Sequence, residues 1–306
     1  KEKIFAEEQL SFVKTLDLLE EAVLQLDLQG RIVDANAGWW SLMGIPRRDF
    51  ANLSEFAFPE EREIVERQMS TLVMGDKDQV RARYRFQARD RSELWMECHF
   101  VTDRNDSGVA TGARGVLRDI TKSYLQERYI NHIALHDALT NLPNRVLLED
   151  RIKQAIGQAM RTGNSVGVCF LDLDHFKKIN DAYGHKLGDS LSLTLSHRLK
   201  ECLREGDTLA RWGGDEFVVL LPDLNSVDAA RQVAQKMVDQ MHQTITLDEV
   251  SVNMTFSMGI ALYPKDEDSG NIDALLAQAD RAMFHAKSQG RNNFQLFNDM
   301  GSKDMG

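Results

Sequence analysis

Two short acidic stretches carry residue types that could do chemistry together. The first ends an apolar run, Ser165-Val166-Gly167-Val168-Cys169-Phe170-Leu171, with Asp172-Leu173-Asp174. Along a strand, side chains alternate between faces, so Asp172 and Asp174 are expected to project together and Leu173 the other way. A helical run, His175 to Asp181, follows at once. Free backbone N–H groups at a helix start, beside carboxylates, can hold phosphate on one side and a divalent cation on the other. The second stretch is Arg211-Trp212-Gly213-Gly214-Asp215-Glu216-Phe217. Strand character on both sides of Gly213-Gly214 reads as a hairpin, and glycine also clears side chains from where a phosphate would approach the backbone. If the strands ending in these stretches are neighbours, Asp172 meets Asp215. Hard divalent ions take oxygen ligands, and Mg²⁺ commonly takes one or two carboxylates plus substrate phosphates. Taken alone, acidic residues at a turn are ordinarily just solvated.

The elements that must position these groups occupy a 306-residue chain, long enough for about two domains. With 42% apolar and 27% charged residues, the composition is that of a folded globular protein. The 37 basic and 47 acidic residues leave a formal charge of -10, which argues against a general nucleic-acid binder. No apolar run reaches the ~18 residues of a membrane span, and no signal peptide is apparent. The expectation is a cytoplasmic segment, with any membrane anchor outside it. Cys98, Cys169 and Cys202 lack metal or redox spacing and read as buried reduced thiols.

The first half predicts a helix over residues 1–20, then a hairpin around Leu28-Gln29-Gly30. Short helices follow over 37–43 and 59–73, then strands over 80–88, 94–101 and 112–117. This order resembles a PAS sensor domain, with Gly30-Arg31-Ile32-Val33-Asp34-Ala35-Asn36 early and Arg118-Asp119-Ile120-Thr121 at its end. The resemblance implies a curved antiparallel sheet over a pocket whose ligand the sequence does not name. Trp39, Trp40, Trp95 and His99 are read as core rather than cavity lining, and a lone His99 does not make a haem site. Residues 121–136 predict a helix with Leu125, Tyr129 and Ile133 on one face, either a connector between two domains or a surface helix packed on its own domain.

In the second half, Gly213-Gly214-Asp215-Glu216-Phe217 spells the signature of the GGDEF family, the diguanylate cyclases. A specified pentapeptide occurs by chance in such a chain on the order of once in ten thousand. Its companions stand in family order: Asp137 to Arg145 (DALTNLPNR), Asp172 to Lys177 (DLDHFK), Asn180-Asp181, Gly184-His185 and Gly188-Asp189. After them come Ser257 to Ala261, Ala279 to Phe284, Ala286-Lys287 and Gly290-Arg291-Asn292.

The resemblance implies an α+β palm-like antiparallel sheet flanked by helices, and condensation of two GTP into cyclic di-GMP with loss of two pyrophosphates. Carried over by position, it implies that Asp172, Asp215, Glu216 and the Leu173 carbonyl hold Mg²⁺ or Mn²⁺. Glu216 is either a metal ligand or the base for the 3′-hydroxyl. His175 and Phe176 offer backbone N–H groups to phosphate, while Lys177, Lys287 and Arg291 face the triphosphate. Asn180 and Asp189 read guanine, although Asp189 also suits a helix N-cap after Gly188. Arg204 and Asp207 match the family's R-x-x-D product-inhibitory site.

The expected division is an N-terminal helix 1–20, a PAS domain 21–121, a linker 122–136, a GGDEF domain 137–298 and a tail 299–306. The partners implied are GTP, cyclic di-GMP and a second copy of the chain. An alternative is a GTP- or product-binding module controlling an EAL phosphodiesterase domain beyond the C-terminus.

Overall fold

The computed structural model describes residues 21–46, 51–74, 77–247, 249–264 and 271–300. The helix expected over 1–20 and most of the tail lie outside the described residues. The chain divides into two compact units, the division falling between Tyr129 and Ile130.

The first unit begins with the antiparallel hairpin β1 (Ala22–Leu26) and β2 (Ile32–Ala35), turning through Gly30 at φ 74°. Helix α1 (Ala37–Met43) starts where the Asn36 side chain accepts from the Trp39 N–H, and it stops at Gly44 in the left-handed region. Helix α2 (Arg62–Val73) precedes the meander β3 (Gln79–Gln87), β4 (Glu93–Arg104) and β5 (Ala110–Asp119). The sheet order is β2-β1-β5-β4-β3, every pair antiparallel.

Strand alternation decides what this sheet buries. Met96, Cys98 and Phe100 of β4 face the helices and are 0–1% exposed. They pack in one core with Trp39, Met43, Leu72 and Phe86, and Trp39 meets Phe56 and Phe86 edge-on. Trp39 and Trp40 are therefore core, as expected. Trp95 and His99 are not, because as odd-numbered residues of β4 they take the opposite face. Trp95 stacks on Tyr124 at 4.0 Å in the first turn of helix α3 (Thr121–Leu135), and His99 pairs with Gln79. His99 thus has no place beneath the sheet. All three cysteines are free and buried, and burial pushes their thiols up, Cys169 to about 12.

The second unit is a sheet with helices on both faces. Its elements are α4 (Arg145–Thr162), β6 (Ser165–Leu173), α5 (Phe176–Tyr183), α6 (His185–Glu201), β7 (Thr208–Gly213) and β8 (Glu216–Leu224). Helix α7 (Val227–Met241), the ribbon β9 (Ile245–Leu247) and β10 (Val250–Val252), β11 (Phe256–Tyr263), α8 (Ile272–Ser288) and β12 (Asn293–Leu296) complete it. The five-stranded order is β12-β11-β6-β8-β7, antiparallel except for β12 along β11. Central β6 is covered on both sides, which explains its unbroken apolar run. Cys169, Leu171 and Leu173 pack toward α6 and α7, whereas Val166, Val168 and Phe170 pack toward α4 and α8. Asp172 continues the second set.

Gly259 sets the height of α8 above the sheet. A Cβ there would stand 1.9 Å from the Ala279 carbonyl oxygen and 2.1 Å from the Met283 nitrogen, backbone atoms that cannot swing aside. Gly259→Ala should destabilise the second unit by about 1–3 kcal/mol through overpacking, read as a lower urea midpoint. An unchanged midpoint would show that α8 is not pinned at this point. Among the described residues no helix is long and apolar enough to cross a membrane.

Candidate active site

The site forms where β6 and β8 end side by side. In their register Asp172 stands opposite Glu216, and Asp215 occupies the turn that joins β7 to β8. The turn closes over the end of β6, because the Leu173 N–H donates to the Asp215 carbonyl at 3.2 Å. Gly214 takes φ 50°, and a side chain at Gly213 or Gly214 would meet nothing within 4 Å, so this backbone is open to a ligand.

Three side chains crowd the carboxylates from α8 and β8. Lys287 Nζ lies 2.9 Å from Asp172 Oδ1. Burial pushes the Asp172 carboxyl up, with Asp215 and Asp174 adding to it and Lys287 opposing. Glu216 is also pushed up, first by burial, then by Asp172, Asp215 and Asp280, again against Lys287. Asp280 is pushed up by burial while Lys287 lowers it. These carboxylates repel one another and share one ammonium, a field that attracts further positive charge. Among the described residues, however, no three His, Cys, Asp or Glu side chains converge closely enough to enclose a metal ion by themselves.

Asp174 departs from the expectation that it projects beside Asp172 as a second free carboxylate. Strand β6 stops at Leu173, and Asp174 turns into the protein, 5% exposed. It accepts from Thr255 Oγ1 at 2.7 Å, Ser257 Oγ at 2.8 Å and the Asn292 N–H at 3.1 Å, and Arg291 stands 3.9 Å away. Its lone pairs are consumed, so it braces the loop after α8. Arg291 therefore sits beside Asp174, while Lys287 reaches Asp172.

His175 caps α5 in the left-handed region at φ 62° with no side-chain capping bond; the Lys178 N–H donates to the His175 carbonyl at 2.9 Å, and the N–H groups before it have no side-chain cap. Phe176 is buried beneath them, and the Lys177 side chain is exposed. Asn180 and Asp189 come from the adjacent α5–α6 hairpin. The Asn180 Oδ1 is buried and has no donor among the described residues, and a Cβ on Gly188 would stand 1.9 Å from it. Gly188 is thus a close-approach position. Asp189 is not an N-cap: α6 begins at His185 on Gly184, which places Asp189 in the second turn, exposed.

Arg204 and Asp207 lie apart from this cluster. They precede β7, whereas Gly213 ends it, so a six-residue strand, roughly 20 Å long, separates them from the turn. Arg204 Nε pairs with Asp207 Oδ1 at 3.1 Å, and the Arg204 N–H donates to the other carboxylate oxygen.

Two supporting residues escaped sequence reasoning. Arg211 donates twice to the Gly214 carbonyl and once to Asp137 Oδ1, tying the turn to the loop that enters the unit. Burial works to raise the Asp137 carboxyl, but the two Thr140 donors and Arg211 outweigh it and hold it below the usual range. Asp280 was quoted within a motif but given no role. Its spacing of seven from Lys287, two helical turns on one face, was the available signal.

The family model described as "Diguanylate cyclase, GGDEF domain" matches residues 134–293, and a PAS domain model matches residues 20–122. The bifunctional diguanylate cyclase/cyclic di-GMP phosphodiesterase MucR of Pseudomonas aeruginosa is 47% identical over 170 residues, 56% of this chain and 24% of that protein. Diguanylate cyclase TpbB of the same species is 42% identical over 166 residues, 54% of this chain and 38% of that protein. The chain thus spans between a quarter and two fifths of these relatives' length. Among solved structures, the GGDEF domain of TpbB superposes with a TM-score of 0.51 at 42% identity, covering 53% of this chain and 93% of that one. The coiled coil and GGDEF domain of DgcB from Caulobacter crescentus, in complex with c-di-GMP, gives 0.53 at 25% identity, covering 58% and 93%.

Proposed function

The chain belongs to the GGDEF family of diguanylate cyclases, with a PAS domain ahead of the family domain, and from that premise we propose that it condenses two GTP molecules into cyclic di-GMP. The observation that carries this reading is the pairing of Asp172 with Glu216 across adjacent strands, beside Asp215 and within reach of Lys287.

In the reaction each 3′-hydroxyl oxygen attacks the α-phosphorus of the other GTP. Two new P–O bonds form, two α–β bridging bonds break, two pyrophosphates leave, and each hydroxyl gives up its proton. Such transfer depends on alignment and charge neutralisation. The donor set suits Mg²⁺ or Mn²⁺: hard carboxylate oxygens from Asp172, Asp215 and Glu216 and the Leu173 carbonyl, with phosphate oxygens completing the shell. A bound divalent ion supplies Lewis-acid stabilisation of the phosphate oxygens. Lys287, released from Asp172 toward the triphosphate, offsets its charge, and the uncapped N–H groups at His175 and Phe176 hold its oxygens. Lys177, exposed beside them, and Arg291, at the loop braced by Asp174, border the same region. Glu216, whose carboxyl burial and the neighbouring carboxylates push up, is suited to take the hydroxyl proton if it is not spent as a ligand.

The unsatisfied Asn180 Oδ1 is an acceptor for the guanine 2-amino group, and Asp189 can accept from both N1–H and the 2-amino group. Adenine offers no such pair. One unit holds one GTP, so turnover requires two copies facing each other, and helix α3 is the natural route by which the PAS domain controls their placement. GTP as substrate places the reaction in the cytoplasm.

The test is incubation of the full chain with GTP and Mg²⁺ and detection of cyclic di-GMP, with Asp215→Ala as control. Product from the parent alone supports the reading. No product from a demonstrated dimer overturns it in favour of a nucleotide-binding module that regulates a neighbouring domain. The unbroken set of site carboxylates favours turnover over that alternative.

Product inhibition at Arg204 and Asp207 is a separable part of the proposal. Arg204→Ala should raise the product concentration needed for half inhibition at least tenfold, since it removes a charge-assisted partner for phosphate. The initial rate, measured before product accumulates, should stay unchanged. An unaltered inhibition curve would remove Arg204 from product binding.

A further inference from the structure

The chain has eight histidines, and only His132 and His136 stand within nine residues of each other. Their spacing of four puts both on one face at the end of α3. Helical geometry continues through His136, whose N–H donates to the His132 carbonyl at 2.9 Å. The two rings lie 4.2 Å apart at an interplanar angle of 11°. Stacking alone would account for that contact. The hydrogen bonds of the rings say more.

His136 Nδ1 lies 3.1 Å from the His132 carbonyl oxygen. A carbonyl only accepts, so Nδ1 carries the proton and Nε2 keeps its lone pair. His132 Nε2 lies 2.6 Å from Asn141 Oδ1, which likewise accepts, so His132 is left with its lone pair on Nδ1. Neither remaining nitrogen has a partner among the described residues. Metal-ligating histidines show this pattern: one ring N–H is given to an oxygen that fixes the tautomer, and the other nitrogen is presented to the ion. His132 is exposed and His136 half-buried, so an ion can reach both.

We infer that His132 and His136 form a two-imidazole site for a borderline transition-metal cation of the Zn²⁺, Cu²⁺ or Ni²⁺ class. Imidazole nitrogens select such ions, whereas Mg²⁺ prefers oxygen. The rings are nearly parallel, so binding one ion requires the exposed His132 ring to turn out of the stack until both lone pairs meet it. No third His, Cys, Asp or Glu side chain joins them among the described residues, and water completes the shell. The site is distinct from the carboxylate cluster. Its position gives it a consequence. An ion there joins the last turn of α3 to Asn141, in the loop whose Asp137 holds Arg211 under the Gly214 turn.

The experiment titrates the full chain with ZnCl₂ against a chromophoric chelator in millimolar MgCl₂. One Zn²⁺ per chain should bind without competition from Mg²⁺. His132→Gln and His136→Gln should each weaken binding at least tenfold. Asn141→Gly, which removes the oxygen that accepts from His132 Nε2 and tolerates the positive φ of 57° at that position, should weaken it about tenfold. His197→Gln, at a solitary exposed histidine, should change nothing. Nitrogen-15 NMR of the parent chain gives a readout that needs no variant. Zn²⁺ should shift His132 Nδ1 and His136 Nε2 while leaving the opposite N–H signals in place. Unchanged affinity in the double His→Gln variant, or shifts confined to other histidines, would overturn the assignment.

Discussion

Glu216→Gln should cut cyclic di-GMP formation at least a hundredfold, yet raise the melting temperature of the second unit. The two effects have one cause. Glu216 faces Asp172 across the β6–β8 register, with Asp215 and Asp280 contributing repulsion, and its carboxyl is pushed up by burial first and by those charges next. Removing the charge relieves repulsion and deletes what the proposed reaction asks of Glu216, a metal ligand or the proton acceptor, each worth a factor of about 10² or more in rate.

The sign of the pH dependence follows from the same shift. A raised folded-state pKa means that the fold favours the protonated form. The stability contribution is complete below the ordinary glutamate value, about 4.3, and is lost as pH rises through the raised value. The gap in melting temperature between Glu216→Gln and parent should therefore be present at neutral pH and close below about pH 4. Calorimetry across that range, beside a product assay, checks both. A variant that loses activity and also melts lower at pH 7 would contradict the electrostatic account.

Asp174→Ala should be the most destabilising single change at the site, at about 2–4 kcal/mol. Its carboxylate gathers two hydroxyls from the β11 region and the backbone N–H of Asn292. Ser257 is 0% exposed, so its hydroxyl would be stranded without an acceptor. Arg291 and Asn292 both hold positive φ, at 65° and 50°, in the loop this carboxylate braces. Its loss should let that loop relax and lower activity by at least tenfold through misplacement of Arg291. Asp174→Asn keeps an acceptor oxygen, so it should recover roughly half of the lost stability. Urea unfolding of the three proteins distinguishes this from a metal-ligand role. A purely ligating Asp174 would leave the midpoint unmoved in the absence of divalent ions.

The residues of the candidate site were legible in the sequence. The hairpin at Gly213-Gly214, the strand into Asp172 and the helix after it follow from apolar run length, alternation and glycine placement. These are local properties, written within about ten residues. Lys287 was legible through its motif alone, because its partner Asp172 lies 115 positions earlier in the chain.

Other features were decided by tertiary structure. Alternation distinguishes the two faces of a strand but does not say where the strand ends. Asp172 therefore stays near the end of strand β6 with paired neighbours on either side, while Asp174, two residues on, turns inward to donors 81, 83 and 118 positions away. The same alternation separates Trp95 and His99 from Met96 and Cys98, but only the packed helices show which face is interior. Asp189 reads as a cap by its glycine neighbour, but the helix begins four residues earlier, at His185 on Gly184. Composition and spacing thus determined which groups are present and which local elements carry them. Only the assembled sheet assigned each carboxylate to solvent, to a neighbouring charge or to a buried network, because that assignment depends on partners brought close by strand pairing and helix packing across the whole unit.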